Sequence, residues 1–140
     1  MASAALRIVL DTNIYISAAL HGRRAETILE LASAGRITLI TSEEILDELE
    51  EKLQYKLEWP DSQVQLFLRT IRDLVEIVEP EFKLDVVPDD EDDNRTVECA
   101  VVSKAGLIVT YDKDLLHLKA YEMVGIVNLR QLSFYGLDSD

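Results

Sequence analysis

The chain has 140 residues, 48% of them hydrophobic, which is the size and apolar content of one domain with a real core. No stretch approaches the roughly 18 unbroken apolar residues of a spanning helix, and Met1 to Leu6 lacks the basic start and long apolar middle of a leader, so a soluble, cytoplasmic protein without membrane partners is expected. A formal net charge of −13 opposes simple attraction to a phosphate backbone, and the single cysteine, Cys99, excludes an internal disulfide and sits in an apolar segment as a small hydrophobe.

Leu6 to Leu10, rich in Ile and Val, predicts a short strand ending at Asp11. Arg23 to Ala34 carries Ile28, Leu29, Leu31 and Ala32 at helical spacing, and Gly35 closes it. Ile37 to Ile40 predicts a second strand. Thr41 or Ser42 then caps a helix whose stripe is Ile45, Leu46, Leu49, Leu53 and Leu57, ended by Pro60. Val64 to Leu74 predicts a further helix, Val75 to Val78 a short strand, and Pro80 to Asp93 a charged loop. Arg95 to Ala105 predicts a helix leading through Gly106 into a strand at Leu107 to Val109. A helix after Asp112 holds His117 as a partly buried residue, and the last strand is Gly125 to Val127.

Short apolar strands alternating with helices define the α/β class, in three layers with helices on both faces of a central parallel sheet and residues 1–140 forming one domain. Ligands of such sheets bind beyond the carboxyl ends of the strands. Here the residues at those ends are mostly acidic. Asp11-Thr12-Asn13 follows the first strand and Thr110-Tyr111-Asp112-Lys113-Asp114 follows Leu107 to Val109. Between them lie a helix with Glu44 and Glu48 one turn apart and the run Asp89-Asp90-Glu91-Asp92-Asp93.

Carboxylates drawn together without cations repel by roughly 4 kcal/mol per pair at 4 Å and an effective dielectric of about 20. A cluster that binds divalent cations reverses its local sign, which removes the objection posed by the net charge. Hard ions such as Mg²⁺ or Mn²⁺ prefer oxygen ligands and suit phosphoryl transfer or phosphodiester hydrolysis. With only His21 and His117 and no paired Cys, a closed zinc site cannot be assembled.

In order and spacing, Asp11-Thr12-Asn13, Ser42 with Glu48-Leu49, Asp90 to Asn94, and Thr110-Tyr111-Asp112-Lys113-Asp114-Leu115-Leu116 resemble the motifs of the PIN domain, over Arg7 to about Leu132. The chain is similar to the toxin-like single-domain branch of toxin–antitoxin pairs. The resemblance implies a metal-dependent endoribonuclease using Mg²⁺ or Mn²⁺, acting on RNA, usually as a homodimer or higher oligomer and restrained by a small antitoxin. It implies that Asp11, Glu48, Asp93 and Asp112 are catalytic and form the metal site, with Asp114 and Asp90 as further acidic positions. It also implies that Asn13, Ser42 and Thr110 orient the carboxylates or water. Tyr111 departs from the small residue common there, which bears on access to the groove.

Several bland readings compete. An Asp at a strand end is often only a helix cap. Glu43, Glu44, Asp47, Glu50 and Glu51 read as a solvated helical face, and Glu48 is separated from Glu44 only by its place in the family motif. An EF-hand loop starting at Asp89 fails, since its sixth position is Asn94 and its twelfth Ala100. In the acidic run, helical stepping from Val97, Ala100 and Val101 selects Asp93 first and Asp90 second, with Glu91 and Asp92 projecting elsewhere. Arg23, Arg24 and Lys113 are either solubilising or phosphate contacts beside the metal. A phosphatase forming an aspartyl-phosphate on Asp11, as in the haloacid dehalogenase family, lacks its second Asp because position 13 is Asn. A degenerate PIN module that binds RNA or a protein without cleavage is the non-enzymatic alternative.

Overall fold

Large aliphatic side chains alternate along the strands and divide the interior in two. The computed structural model describes residues 5–132; residues 1–4 and 133–140 of the expected 140-residue unit lie outside the described residues. The strands are β1 (Leu6–Leu10), β2 (Ile37–Ser42), β3 (Val75–Val78), β4 (Leu107–Val109), β5 (Ala120–Tyr121) and β6 (Val124–Val127). They form a sheet in the order β3-β2-β1-β4-β6-β5, parallel throughout except for β5, which runs antiparallel to β6 at the edge.

Ile8, Leu10, Leu39, Leu107 and Val109 point to one face. There they meet α1 (Thr12–Ala19), α2 (Arg23–Ser33), α3 (Glu43–Glu51), α4 (Asp61–Leu74) and α7 (Leu129–Leu132), through residues such as Ile14, Ile28, Leu49 and Leu68. Val9, Ile40, Ile108 and Ile126 point the other way, against α5 (Glu91–Ser103) and α6 (Lys113–Leu118), through Val97, Cys99, Ala100 and Leu115. This is the expected three-layer α/β/α arrangement. Burying a Leu or Ile side chain contributes roughly 1.5–3 kcal/mol, so the two aliphatic faces commit the sheet to this sandwich.

Several boundaries differ from the sequence expectation. The second strand extends to Ser42 rather than ending at Ile40, because Thr41 and Ser42 pair with Ile77 and Val78. The helix expected from Arg95 starts at Glu91, where Asp90 caps it, so the charged loop ends earlier than Asp93. Helix α1 was not anticipated; its apolar residues Ile14, Tyr15 and Ala18 span only two turns, too short for a clear period. The two-residue β5 was also missed. After α3 the chain widens into a π-helical turn over Lys52–Lys56, which keeps Leu53 in the core before Pro60. Gly35 stands at φ +75 just beyond α2, the left-handed position at which glycine ends a helix without a Cβ penalty. No helix among the described residues is long and apolar enough to cross a membrane.

Candidate metal centre

Because β1 and β4 are neighbours in the sheet, the segments that follow them meet at one rim. Asp11 is 3% exposed. Its Oδ1 accepts the Thr12 backbone N–H at 2.8 Å, so it caps α1, and its Oδ2 accepts the Thr110 hydroxyl at 2.8 Å. Thr110 Oγ1 in turn accepts the backbone N–H of Asp112 at 2.9 Å, so one threonine fixes both strand-end acids. The helix-cap reading of Asp11 is therefore true without exhausting the residue. Glu48 approaches from α3: the Thr12 hydroxyl donates to its Oε2 at 2.7 Å, and Lys52, one turn further on, places its Nζ 2.7 Å from the same oxygen.

The third contribution comes from the N-terminus of α5. Asp90 is the cap and accepts the Asp93 N–H at 3.0 Å. Asp93, in the first turn, is 4% exposed, and its Oδ2 is buried with no hydrogen-bond partner. Asp90, Asp93 and Asp112 each offer a carboxylate oxygen within 4.8 Å of the others. The segment before the helix is clamped by buried side chains of α5. Asn94 Oδ1 accepts the N–H groups of Val86 and Val87 at 2.8 and 2.9 Å and its Nδ2 donates to the Val87 carbonyl at 2.9 Å, while Glu98 accepts from Leu84 N and from Arg95, both at 2.6 Å. Asn94→Ala strips these bonds from buried backbone groups, and a loss of roughly 2–4 kcal/mol is expected, read by urea unfolding. Because the clamp sets Asp90 and Asp93, metal affinity should fall with it; unchanged stability would show that the segment holds itself.

Burial, then contact with the Asp112 carboxylate and its charge, then the charges of Asp90 and Asp11, push Asp93 from an ordinary 3.8 to about 9 in the metal-free protein. Asp11 is also raised, by burial first, with Thr110 pulling the other way and Glu48 adding to the rise. A folded-state pKa above the unfolded one means that the fold holds the proton more tightly. The associated stability is present in full below about pH 4 and is lost as pH rises through about 9. Metal-free stability should accordingly decline across this window in denaturant titrations, and Asp93→Asn should flatten the decline. An equal slope in both proteins would exclude Asp93 as its source.

A divalent cation fits this arrangement chemically. All the convergent donors are oxygens, the buried Asp93 Oδ2 lacks a partner, and the carboxylates raise one another's proton affinity as a site does when its counter-charge is missing. Cys99 offers no competing chemistry: it is fully buried, and burial pushes its thiol up to about 12.

Other expected residues take varied positions. Ser42 is buried and its Oγ accepts the Ile45 N–H at 3.3 Å, capping α3; no hydrogen bond joins it to a carboxylate among the described residues. Asn13 is exposed and its Oδ1 lies 3.4 Å from Lys52 Nζ. Asp114 is exposed in the first turn of α6, where its N–H donates to Asp112 Oδ1 at 2.8 Å; it is not one of the three clustered acids. Arg23 and Arg24 are exposed at the start of α2, and Lys113 is exposed at the start of α6. Tyr111 is 46% exposed beside the rim. Glu44 is exposed and pairs with Lys83 at 3.1 Å, whereas the Glu48 side chain is only 10% exposed, so geometry separates two acids that periodicity could not.

Asp92 is exposed in the first turn of α5 and, like Glu91, is not one of the three clustered acids. One expectation needs correction. His117 is exposed rather than partly buried, because the short α6 buries only Leu115. Thr12 and Lys52 were not singled out from sequence. The signal for Lys52 was available, since Glu48 and Lys52 stand at i and i+4 on one helix, the spacing of an ion pair.

The fold and the acidic rim define a recognised class: the chain belongs to the PIN domain family, whose sequence model matches residues 7–114. The uncharacterized protein MJ1680 of Methanocaldococcus jannaschii is 33% identical over 120 residues, covering 81% of this chain and 76% of that protein. A solved structure described as VapBC2 from Rickettsia felis bound to a DNA fragment from their promoter matches with a TM-score of 0.66 over 88% of this chain and 98% of the matched chain. At 20% identity that likeness speaks for the fold.

Proposed function

We propose that the protein is a Mg²⁺- or Mn²⁺-dependent endoribonuclease, a single PIN-type nuclease domain over residues 1–140, acting as the toxin of a toxin–antitoxin pair. The carrying observation is the convergence of Asp90, Asp93 and Asp112 within 4.8 Å, with an unpartnered buried oxygen on Asp93. Asp11, Glu48, Asp93 and Asp112 would hold the ion, flanked by Asp90 and Asp114. A bound divalent ion supplies charge neutralisation at the phosphate and acidifies a water molecule. Thr110 keeps Asp11 and the Asp112 backbone in register, Thr12 orients Glu48, and Ser42 holds the start of α3. Arg23, Arg24, Lys113 and Asn13 are the side chains offered for RNA contacts. The products would carry a 5′-phosphate and a 3′-hydroxyl.

The toxin role draws on the resemblance to the toxin-like branch and on the fold match to VapBC2. In this reading the chain works in the cytoplasm as a homodimer or higher oligomer, with a small antitoxin as protein partner. The test is incubation of purified protein with end-labelled RNA in Mn²⁺, Mg²⁺ or EDTA. Metal-dependent cleavage at internal sites is expected. RNA retained without cleavage would replace the nuclease by a binding module.

A further inference from the structure

The turn that carries Asp112 also carries an aromatic ring that belongs to neither half of the core. Thr110 is fully buried: its N–H donates to the Val127 carbonyl at 3.0 Å and its hydroxyl to Asp11 Oδ2 at 2.8 Å. Thr110 Oγ1 also accepts the Asp112 N–H at 2.9 Å, and Asp112 Oδ1 accepts the N–H groups of Asp114 and Leu115 at 2.8 and 3.2 Å. Tyr111 therefore sits between two anchored residues, with the backbone on both sides of it fixed. It is nevertheless 46% exposed, and its side chain has no hydrogen bond or ring contact among the described residues.

We propose that Tyr111 is a stacking platform for one unpaired nucleobase of the RNA, beside the phosphodiester that the acidic rim receives. This rests on the ribonuclease reading above and adds to it a substrate-binding residue and the chemistry it recognises. With a formal net charge of −13 and a rim of carboxylates, the protein draws little affinity from neutralising phosphates. Stacking needs no positive charge, because every base presents a π-face to a ring. A tyrosine on a fixed backbone has only two side-chain torsions to lose when a base settles on it, so little of the contact is spent on ordering the protein. A base inside a duplex is already stacked and paired, which leaves it no face for Tyr111; only an unpaired base is free to be splayed onto the ring. A purine offers the larger face, so a modest preference for purines is expected at this position.

The experiment gives the full chain, Tyr111→Phe and Tyr111→Ala three labelled probes in Mn²⁺: short oligo(A) RNA, short oligo(U) RNA and the duplex of the two. Cleavage kinetics and fluorescence anisotropy are read on each, with urea midpoints to check that the variants fold. Tyr111→Ala should raise KM for oligo(A) by roughly five- to a hundredfold with kcat nearly unchanged, and should erase the preference of oligo(A) over oligo(U). Tyr111→Phe, which keeps the ring, should behave as the unmodified chain, and the duplex should be a poor substrate that no variant alters. An unchanged KM in Tyr111→Ala, a Tyr111→Phe as impaired as Tyr111→Ala, or a duplex cut with the same dependence on Tyr111 would each overturn the inference while leaving the nuclease reading intact. If the unmodified chain retains oligo(A) without cutting it, the nuclease reading falls and the anisotropy of Tyr111→Ala decides the inference alone: weaker retention supports it and equal retention overturns it. Neither cleavage nor retention of the single strands by the unmodified chain would overturn both.

Discussion

Asp93→Asn is expected to lower metal-dependent RNA cleavage by at least about a hundredfold while making the metal-free protein more stable at neutral and alkaline pH. The two effects share one cause. Asp93 is buried among Asp90, Asp112 and Asp11, so its negative form is costly without a cation and valuable with one. Asn keeps the volume, removes the ionisation and leaves the helix cap at Asp90 intact. Asp112→Asn and Asp11→Asn should act in the same direction, Asp90→Asn more weakly, and the exposed Glu91→Gln hardly at all. Cleavage rates and urea midpoints on the same preparations decide the matter. A variant of Asp93 that cleaves at the unmodified rate would remove this carboxylate from the site.

Excess Mn²⁺ or Mg²⁺ should stabilise the folded chain by about 2.7 kcal/mol at a hundredfold excess over the dissociation constant, a rise of roughly 5–10 °C in Tm for a chain of this size. EDTA should reverse it. The gain should also grow as pH increases toward about 9, because the proton held by Asp93 has to leave before the carboxylate can act as a ligand. Melting curves across pH with and without metal supply the measurement. Superimposable curves would leave the acidic rim without a cation.

The parts of this molecule that were legible in its sequence are those governed by local pattern. Apolar runs with β-branched residues marked β1, β2 and β4, and the stripe from Ile45 to Leu57 marked α3 and its continuation. The carboxyl ends of the strands located Asp11 and Asp112 because side chains just beyond a parallel strand have one rim to occupy. The contacts that organise the rim were not legible. Thr110 holding Asp11 depends on β1 lying beside β4, and Glu48 parting from Glu44 depends on how α3 rolls against α1.

The Thr110 hydroxyl and the Asp11 carboxylate it fixes are 99 positions apart in the chain. Closing a loop of that length is entropically slow relative to local helix formation, and the β1–β4 pairing that brings the two together cannot begin until β4 has been made. During synthesis, α1 to α4 have time to form while the rim is still missing Asp112, Thr110 and the whole acidic start of α5. For a protein whose activity would be directed at RNA, the order of the strands thus places assembly of the reactive rim after synthesis of α5 and β4, well behind the helices that follow β1 and β2.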